Sequence, residues 1–546
     1  MDEYVSKADL NMKEKTKILI LLATGGIISG LSVAFSKYVG FLIWISLIPL
    51  FFALRILGDR ENLKMKHAYL YGLFYFECFY AVCFHFFFSM YPLDFTGLNE
   101  FYSMLVVVIA CFGLSFLQAL FGGLVFVVYS LIRQRSLVKN SPIVSILSFT
   151  AIYTFYEFTQ TLGWWGVPWG RLSLALTDMI IPIQAASLFG SYFITAIIVT
   201  VNSLLALSLI KFKSVGIEKK YALAALCVFL SNIALGAILF GAHKATQKNG
   251  DTVKVGIIQG NYDSTDKWFE PNPNVIVSDH LNLTEKAAAD GAEIVLWAET
   301  SIPFVLYDDD IHSMRISNMA DELDITILVG AIREDEEFIY NALVCFTPDG
   351  KISKTEYHKR HLVPFGEYVP MRRLIELALP FMAEISTLSD DMTPGTDSAI
   401  LNLEKTNAGS LICFDSIYEN LTRDTVKAGA ETIMLSTNDS WFSDSAAAYM
   451  HNNQARFRAV EFGRYIARSA NTGLSTFISN TGEVIDEIPP LTEDHLCQDL
   501  VNLNTRTLYS RIGNVFVYLC GVSILVPFAY DLIMKLKANK TLQNGD

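Results

Sequence analysis

Three residues at predicted strand ends carry side chains that together could perform acyl transfer. Glu299 follows the apolar run IVLWA, Lys359 lies in EYHKRHLVPFGEYVP, and Cys413 ends the run GSLIC. Acyl transfer through a cysteine needs a thiolate, a base that accepts and later returns a proton, and a donor that stabilises the oxyanion. Cysteine, glutamate and lysine meet these three needs. Taken singly, each has a plainer interpretation: a buried cysteine, a solvated turn glutamate and a surface lysine.

The segment from Thr252 onwards has the pattern of an α/β domain that could position these residues. Short β-branched runs such as VKVGIIQG, AEIVLWAE and ITILVGAI alternate with predicted helices around 275–290 and 311–323. Further strands are predicted at 341–347, 409–415, 432–439 and 475–482. Several strands are continuously apolar, which predicts sheets buried on both faces, as in a sandwich of sheets covered by helices.

Long apolar runs predict that the rest of the chain is a membrane domain. The 546 residues are 52% hydrophobic and 18% charged, with a mean hydropathy of +0.35, which is too apolar for an ordinary soluble enzyme. Runs about as long as a transmembrane helix occur near 18–35, 40–57, 68–90, 102–132, 143–165, 181–210, 221–243 and 514–534. We therefore predict about eight membrane helices, with seven in residues 1–243 and one in residues 511–546.

Basic residues between the apolar runs predict the orientation, because Lys and Arg are retained on the cytoplasmic side. The amino terminus and alternate connections, at 55–66, 133–139 and 211–220, are rich in Lys and Arg, whereas the intervening connections are not. Seven crossings from a cytoplasmic amino terminus place residues 244–510 outside. The eighth returns the basic tail to the cytoplasm.

Composition argues against several other classes of protein. The net charge of −13, from 42 basic and 55 acidic residues, argues against nucleic-acid binding, which concentrates Lys and Arg on one face. The eight cysteines form no CxxC pair and no Cys/His ligand spacing. The sequence therefore predicts neither a zinc site nor a disulfide framework.

Several sequence strings resemble the nitrilase, or carbon–nitrogen hydrolase, superfamily with its Glu-Lys-Cys triad. These are WAETSIP, KRHLVPFGEYVP, LICFDSIY, STNDSWF and RFRAVEFGRYIARSANTG. HLVPFGEYVP, NDSWF, the eight predicted spans and GWWGVPWG at 163–170 resemble one branch, the apolipoprotein N-acyltransferases of bacterial inner membranes. The resemblance covers most of the chain and is strongest over 253–482. It implies an α-β-β-α sandwich for residues 244–510, on the periplasmic side.

The resemblance implies a role for each candidate residue. Glu299 is expected to be the general base, Lys359 to stabilise the oxyanion and Cys413 to be the nucleophile. Glu367, within PFGEYVP, resembles a second glutamate that supports the triad, although a loop carboxylate that only forms hydrogen bonds is an equal alternative. Trp268 matches a family tryptophan near the substrate entrance, although a core or interfacial role is the alternative.

The chain departs from the family pattern beside the nucleophile and beside the base. The family usually has Tyr-Glu after the cysteine, whereas this chain has Phe414 and Asp415, and the proline before the base is Ala298 here. Phe414 keeps the ring without the hydroxyl, and Asp415 keeps the charge on a shorter arm. These changes bear on how the acyl donor is positioned, but every triad member is retained.

The resemblance implies a two-step reaction. Cys413 attacks an ester carbonyl of a membrane phospholipid, a lysophospholipid leaves, and a thioester remains. The α-amine of the diacylglyceryl-cysteine at an apolipoprotein's amino terminus then takes the acyl group. The reaction needs no metal and no soluble cofactor. The segment LIELALPFMAEI (374–385) is a candidate amphipathic lid over the site, with an ordinary packing helix as the alternative.

Other charged residues are assigned no chemistry. DDD at 308–310 and EDEE at 334–337 are typical of solvated surface. The predicted helix after NDSWF carries residues that look like family scaffold, namely His451, Arg456, Arg458, Glu461 and Arg464.

Two other functions fit parts of the sequence. A membrane-tethered amidase or nitrilase would use the same triad with water as the acceptor, and lipid dependence would distinguish it. A transporter or membrane scaffold with an inert outer domain would need charges that line a path through the spans. The spans carry few such residues, among them Glu77 and Glu157.

Overall fold

The computed structural model describes residues 12–58, 63–93, 98–210, 216–263, 267, 272–335, 337–378, 391–398 and 400–543. By its internal contacts the chain divides into two compact units. The first, which we call the helical unit, comprises residues 1–85, 108–238 and 514–546, and the second, the sandwich unit, comprises residues 86–107 and 239–513.

The predicted apolar runs all coincide with helices. The longer ones are Met12–Ala34, Met65–Cys83, Glu100–Ile132, Pro142–Thr159, Ser191–Leu209 and Lys219–Thr246. Shorter ones are Ser36–Val39, Ile43–Ser46, Ile48–Gly58, Ser136–Lys139, Ile180–Ile183, Ala186–Phe189, Val515–Ser523 and Val526–Gln543. Multi-span helical architecture is therefore confirmed.

Fewer of these helices meet the requirements of a membrane span than the predicted eight. Within the described residues, five helical segments are long and apolar enough, and a pair bent by 40° near the carboxy terminus makes up to six. The two apolar runs not counted form the helices Met65–Cys83 and Pro142–Thr159. Each carries a glutamate and several tyrosines, which lower the mean hydropathy of an otherwise apolar helix.

Buried hydrogen bonds connect helices within the helical unit. Glu157 is 1% exposed and accepts hydrogen bonds from Thr195 Oγ1 at 2.6 Å and from the Leu172 backbone N–H at 2.8 Å. These contacts join the helices Pro142–Thr159 and Ser191–Leu209 to the turn after GWWGVPWG. Glu157 therefore satisfies backbone and side-chain donors, as a buried carboxylate must.

The strands described in the sandwich unit are, in chain order, β1 (Thr252–Gln259), β2 (Ile294–Leu296), β3 (Ile302–Val305), β4 (Thr326–Glu334), β5 (Ile339–Phe346), β6 (Tyr357–His358), β7 (Ile400–Asn402), β8 (Asn407–Ile412), β9 (Thr432–Thr437), β10 (Tyr465–Ala470), β11 (Ser475–Ile478), β12 (Val484–Ile488) and β13 (Asp494–Val501). One mixed sheet has the order β13-β1-β2-β4-β5-β6, with β3 paired to β4, and the other has the order β12-β11-β10-β9-β8-β7.

The two sheets pack face to face and helices cover their outer faces. A shared core takes apolar side chains from both sheets, including Ile257, Leu296, Met434 and Phe477. The helices Pro273–Ala289 and Ile311–Leu323 cover the first sheet, and Glu419–Ala428 and Ala446–Phe462 lie beside the second. This is the predicted α-β-β-α sandwich. Its remaining described helices are Arg372–Ala378 and Leu508–Ile512.

Candidate active site

Glu299 follows the end of β2, a short parallel strand in the middle of the first sheet. Its side chain is 5% exposed. Oε1 accepts hydrogen bonds from Lys359 Nζ at 2.8 Å and from Asn341 Nδ2 at 2.7 Å. Because both contacts use Oε1, the second oxygen is left to accept a proton from a substrate or a nucleophile.

Lys359 follows β6 and lies between two carboxylates. Nζ is 2.8 Å from Glu299 Oε1 and 3.0 Å from each carboxylate oxygen of Glu367. Burial lowers the pKa of Lys359, but the carboxylates of Glu299 and Glu367 outweigh it and hold the pKa well above its usual range. Lys359 is therefore an ammonium at neutral pH. Glu367 Oε2 also accepts the Val363 backbone N–H at 2.7 Å, which fixes the loop after Lys359.

Cys413 follows β8 in the second sheet, at the start of the 3-10 turn Cys413–Ile417. Its φ of +48° lies in the left-handed region that non-glycine residues rarely adopt, and its side chain is half-buried. Burial and the Glu299 carboxylate raise the pKa of the thiol above its ordinary range, while the Lys359 ammonium opposes them. The thiol is thus protonated at neutral pH and needs a base before it can attack.

Contacts between the two sheets hold the segments that carry Glu299, Lys359 and Cys413 together. The Glu299 backbone N–H donates to Thr437 O at 3.3 Å, which links the end of β2 to the end of β9. Tyr357 Oη, on β6, donates to Asp415 Oδ2 at 2.8 Å, which links the strand before Lys359 to the turn that begins with Cys413. The charges of Glu299 and Lys359 both act on the Cys413 thiol across this edge of the sandwich.

Asp415 supports the turn rather than facing solvent. It is fully buried, and it accepts hydrogen bonds from the backbone N–H groups of His361 at 2.8 Å and Ile412 at 3.1 Å in addition to Tyr357. Burial raises the pKa of Asp415 to about 6, against the opposing charge of Lys359 and these hydrogen bonds. Phe414 is 8% exposed, and its ring lies 5.5 Å from that of Tyr418.

Sequence reasoning missed two residues of this cluster. Asn341, on β5, donates from Nδ2 to both Glu299 Oε1 and Glu367 Oε1 at 2.7 Å. Lys267 is 1% exposed and donates to the backbone carbonyl of Glu299 at 3.0 Å, and burial lowers its pKa to about 7. One signal was available for Asn341, since an amide stands in the otherwise apolar run NALVCF.

Two predicted features lie partly or wholly outside the described residues. Trp268 lies outside them, and of the candidate lid 374–385 only the part within the helix Arg372–Ala378 is described. Leu374 and Leu377 of that helix are 61% and 83% exposed. Over the part of the chain that the structure describes, no group of three or more His, Cys, Asp or Glu side chains could hold a metal ion.

Two family models match the chain. The one described as Carbon-nitrogen hydrolase matches residues 254–510, and the one described as Apolipoprotein N-acyltransferase N-terminal domain matches residues 26–204. The first match covers most of the sandwich unit, and the second covers most of residues 1–243, the predicted membrane domain.

Full-length relatives and a solved structure are also similar. The apolipoprotein N-acyltransferase of Geobacter metallireducens is 31% identical over 394 residues, which cover 70% of this chain and 74% of the relative. That of Rickettsia typhi is 27% identical over 530 residues, covering 94% and 97%. The crystal structure of Saccharomyces cerevisiae Nit3, a member of branch 10 of the nitrilase superfamily, matches with a TM-score of 0.36 and 19% identity, over 46% of this chain and 90% of that one.

Proposed function

The chain belongs to the apolipoprotein N-acyltransferase family, and we propose that it moves a fatty acyl chain from a membrane phospholipid to apolipoproteins through a thioester on Cys413. The proposed acceptor is the α-amine of an amino-terminal diacylglyceryl-cysteine. The observation that carries the proposal is the buried cluster of Glu299, Lys359 and Glu367, in which the charges of Glu299 and Lys359 act on a half-buried cysteine. That cluster provides a base, a cation and a nucleophile at one edge of the sandwich.

In the first half of the proposed reaction, Glu299 takes the thiol proton as the Cys413 sulfur attacks the ester carbonyl carbon. The Lys359 ammonium stabilises the negative charge that develops on the carbonyl oxygen. When the tetrahedral intermediate collapses, the carbon–oxygen ester bond breaks. Glu299 returns its proton to the departing alkoxide, so that a lysophospholipid leaves and a thioester remains.

In the second half, the neutral amine of the acceptor attacks the thioester carbonyl. Glu299 takes a proton from the attacking nitrogen, Lys359 again stabilises the oxyanion, and the carbon–sulfur bond breaks. The proton on Glu299 then returns to the Cys413 sulfur. An amide has formed on the acceptor and the enzyme is back in its starting protonation state.

The proposed location is the bacterial inner membrane, with residues 244–510 on the periplasmic side as a catalytic domain. Both proposed substrates carry acyl chains, and each exposed CH₂ group costs about 0.8 kcal/mol in water. A site for them has to be reached from the bilayer. The apolar helices support a membrane protein, and the distribution of Lys and Arg between the apolar runs supports this orientation.

Intact-mass spectrometry after incubation with phospholipid vesicles tests the thioester. Wild-type protein is expected to gain one fatty-acyl mass that neutral hydroxylamine removes and that transfers to a synthetic diacylglyceryl lipopeptide. Cys413→Ala should gain none. Cys497→Ala is the matched control, because Cys497 is also half-buried in the sandwich unit but lies on β13, and this variant should keep the adduct.

The other outcomes would point to a different reaction. If the adduct is lost in water alone as fast as in the presence of the lipopeptide, the protein is a hydrolase. Folded wild-type protein without any adduct would reject the thioester route.

A further inference from the structure

A buried histidine contacts the backbone of the turn that begins with Cys413. His451, in the helix Ala446–Phe462, is 2% exposed. Its Nε2 is 3.1 Å from the carbonyl oxygen of Cys413 and 3.2 Å from Ser416 Oγ. Its Nδ1 is 2.8 Å from Asp439 Oδ1. The reaction described above does not use this residue.

The partners of Nε2 determine the direction of its hydrogen bonds. Cys413 O can only accept a hydrogen bond, so Nε2 carries a proton and donates to it. Ser416 Oγ, which itself donates to Cys413 O at 2.7 Å, can accept from Nε2 too. The Cys413 carbonyl therefore has two side-chain donors, one from the helix and one from its own turn.

An ion pair fixes the other edge of the ring. Nδ1 lies 2.8 Å from Asp439 Oδ1, an acceptor, and 3.2 Å from Arg468 Nη2, a donor. Asp439 Oδ2 accepts from the same Arg468 nitrogen at 2.7 Å. Burial raises the pKa of Asp439, but the Arg468 guanidinium and the hydrogen bonds from Arg468 and His451 outweigh it and hold that pKa below its usual range. Asp439 is therefore a carboxylate that orients the imidazole ring.

The turn has a reason to need such support. A non-glycine residue rarely adopts the left-handed region, because its Cβ crowds the following carbonyl oxygen there, and Cys413 has a φ of +48°. The peptide carbonyl of Cys413 is held by His451 and Ser416, which fixes the orientation of the residue that bears the sulfur.

We propose that His451 is a positioning residue that donates from Nε2 to the Cys413 carbonyl and holds the nucleophile in its left-handed conformation. This rests on the proposed function only in taking Cys413 as the nucleophile. It adds a support for the backbone of the cysteine to the groups that act on its sulfur.

Two amide variants separate the hydrogen bond from packing. In His451→Gln the amide N–H₂ lies near the position of Nε2 and can still donate to Cys413 O, whereas in His451→Asn it lies near Nδ1 and cannot. We expect acyl-enzyme formation to be about 100-fold slower in His451→Asn and only about tenfold slower in His451→Gln. His312→Gln, a change at another buried histidine of the sandwich unit, is the matched control and should match wild type.

The rate of Cys413 alkylation by iodoacetamide at one fixed pH, followed on the Cys413 peptide by mass spectrometry, reports the orientation of the thiol. It should be close to that of wild type in His451→Gln and about tenfold lower in His451→Asn. Equal acylation rates in the Gln and Asn variants, or equal alkylation rates, would overturn the inference. The alkylation needs no lipid, so it tests His451 even if wild-type protein forms no thioester and the proposed function fails.

A further variant decides the matter if the His451 variants do not fold. Ser416→Ala keeps the histidine and removes the other side-chain donor to the Cys413 carbonyl. Its alkylation rate should stay within about threefold of wild type. A tenfold loss in folded Ser416→Ala would show that His451 does not hold the carbonyl by itself and would overturn the inference.

Discussion

Asn341 donates its side-chain amide to two carboxylates at the centre of the site. Replacement by leucine would leave the carboxylates of Glu299 and Glu367 with Lys359 as their shared donor. A lost hydrogen bond to a buried partner costs about 1–3 kcal/mol, so we expect acyl-enzyme formation in Asn341→Leu to slow by roughly 10- to 100-fold. Stopped-flow or quenched burst kinetics would measure it. Asn402→Leu, at an exposed asparagine on β7, serves as control, and a wild-type rate in Asn341→Leu would contradict the prediction.

Lys267 places a titratable amine beside Glu299, the proposed base. Burial lowers its pKa to about 7, so it is an ammonium below pH 7 and a neutral amine above. As an ammonium it lowers the energy of the anionic transition state. At an effective dielectric constant near 20, this should raise the acylation rate about tenfold. The acylation rate of wild type divided by that of Lys267→Met should therefore be about ten below pH 6 and approach one above pH 8.

Lys267→Arg provides the control for that pH profile, because a guanidinium stays protonated throughout the range. Its rate relative to Lys267→Met should stay constant from pH 5.5 to pH 9. A wild-type to Lys267→Met ratio that does not change with pH would show that the charge of Lys267 does not act on the reaction.

Asp415 fits its surroundings more closely than the glutamate usual in the family would. It is fully buried and accepts three hydrogen bonds, from Tyr357 on β6, from His361 in the loop after β6 and from Ile412 on β8. An added methylene overpacks such a site at a cost of about 1–3 kcal/mol. Asp415→Glu should therefore lower the thermal unfolding midpoint in detergent by several degrees, and Phe414→Tyr should leave it nearly unchanged. An equal midpoint in Asp415→Glu and wild type would refute this account.

β4 passes so close to the backbone of Glu299 that only glycine fits at one position. A Cβ on Gly330 would lie 2.2 Å from Ala298 O and 2.8 Å from Glu299 Cα. Because these are backbone atoms, Gly330→Ala has to displace the segment that carries Glu299, the proposed base. We expect acylation to fall by at least 100-fold, since misplacement by about 1 Å can cost that much. Gly241→Ala, at a glycine with open space around it, should keep wild-type activity in the same burst assay.

The sequence predicted those elements whose apolar pattern reflects their burial. β2, β4, β8 and β9 contain apolar runs and were expected, as were Glu299 and Cys413, which follow β2 and β8. β10 was not expected, because YIARSA carries an arginine, which is buried with an ion pair to Asp439 and a hydrogen bond to Leu474 O. β6 has two residues, too few for any periodicity.

Contacts that join distant parts of the chain explain what the sequence could not predict in the site. Asn341 meets Glu299 across 42 positions of sequence, and His451 meets Cys413 across 38. The helix that bears His451 is buried on nearly every side, so it has no polar stripe that would single out one residue. Motif resemblance could supply the base, the lysine and the nucleophile, but not the residues that hold them in place.

With a cytoplasmic amino terminus, residues 244–510 lie outside the cytoplasm if the number of spans before them is odd. Five segments before residue 247 are long and apolar enough to span, and the helices Met65–Cys83 and Pro142–Thr159 would make seven. Both counts are odd. The proposed periplasmic position of residues 244–510 is therefore the same whether both of these helices cross the membrane or neither does.

Labelling of single introduced cysteines in intact cells tests that orientation. Asp349 is an exposed residue of the sandwich unit, and Lys535 is an exposed residue of the carboxy-terminal helix. With a membrane-impermeant maleimide that crosses the outer membrane, Asp349→Cys should label above the background of the unsubstituted chain, and Lys535→Cys should label only after the cells are lysed. Basic residues at 535, 537 and 540 favour the cytoplasm for that tail, because Lys and Arg are retained there. Labelling of Lys535→Cys in intact cells, with Asp349→Cys protected, would reverse the proposed topology and place the nucleophile on the cytoplasmic side.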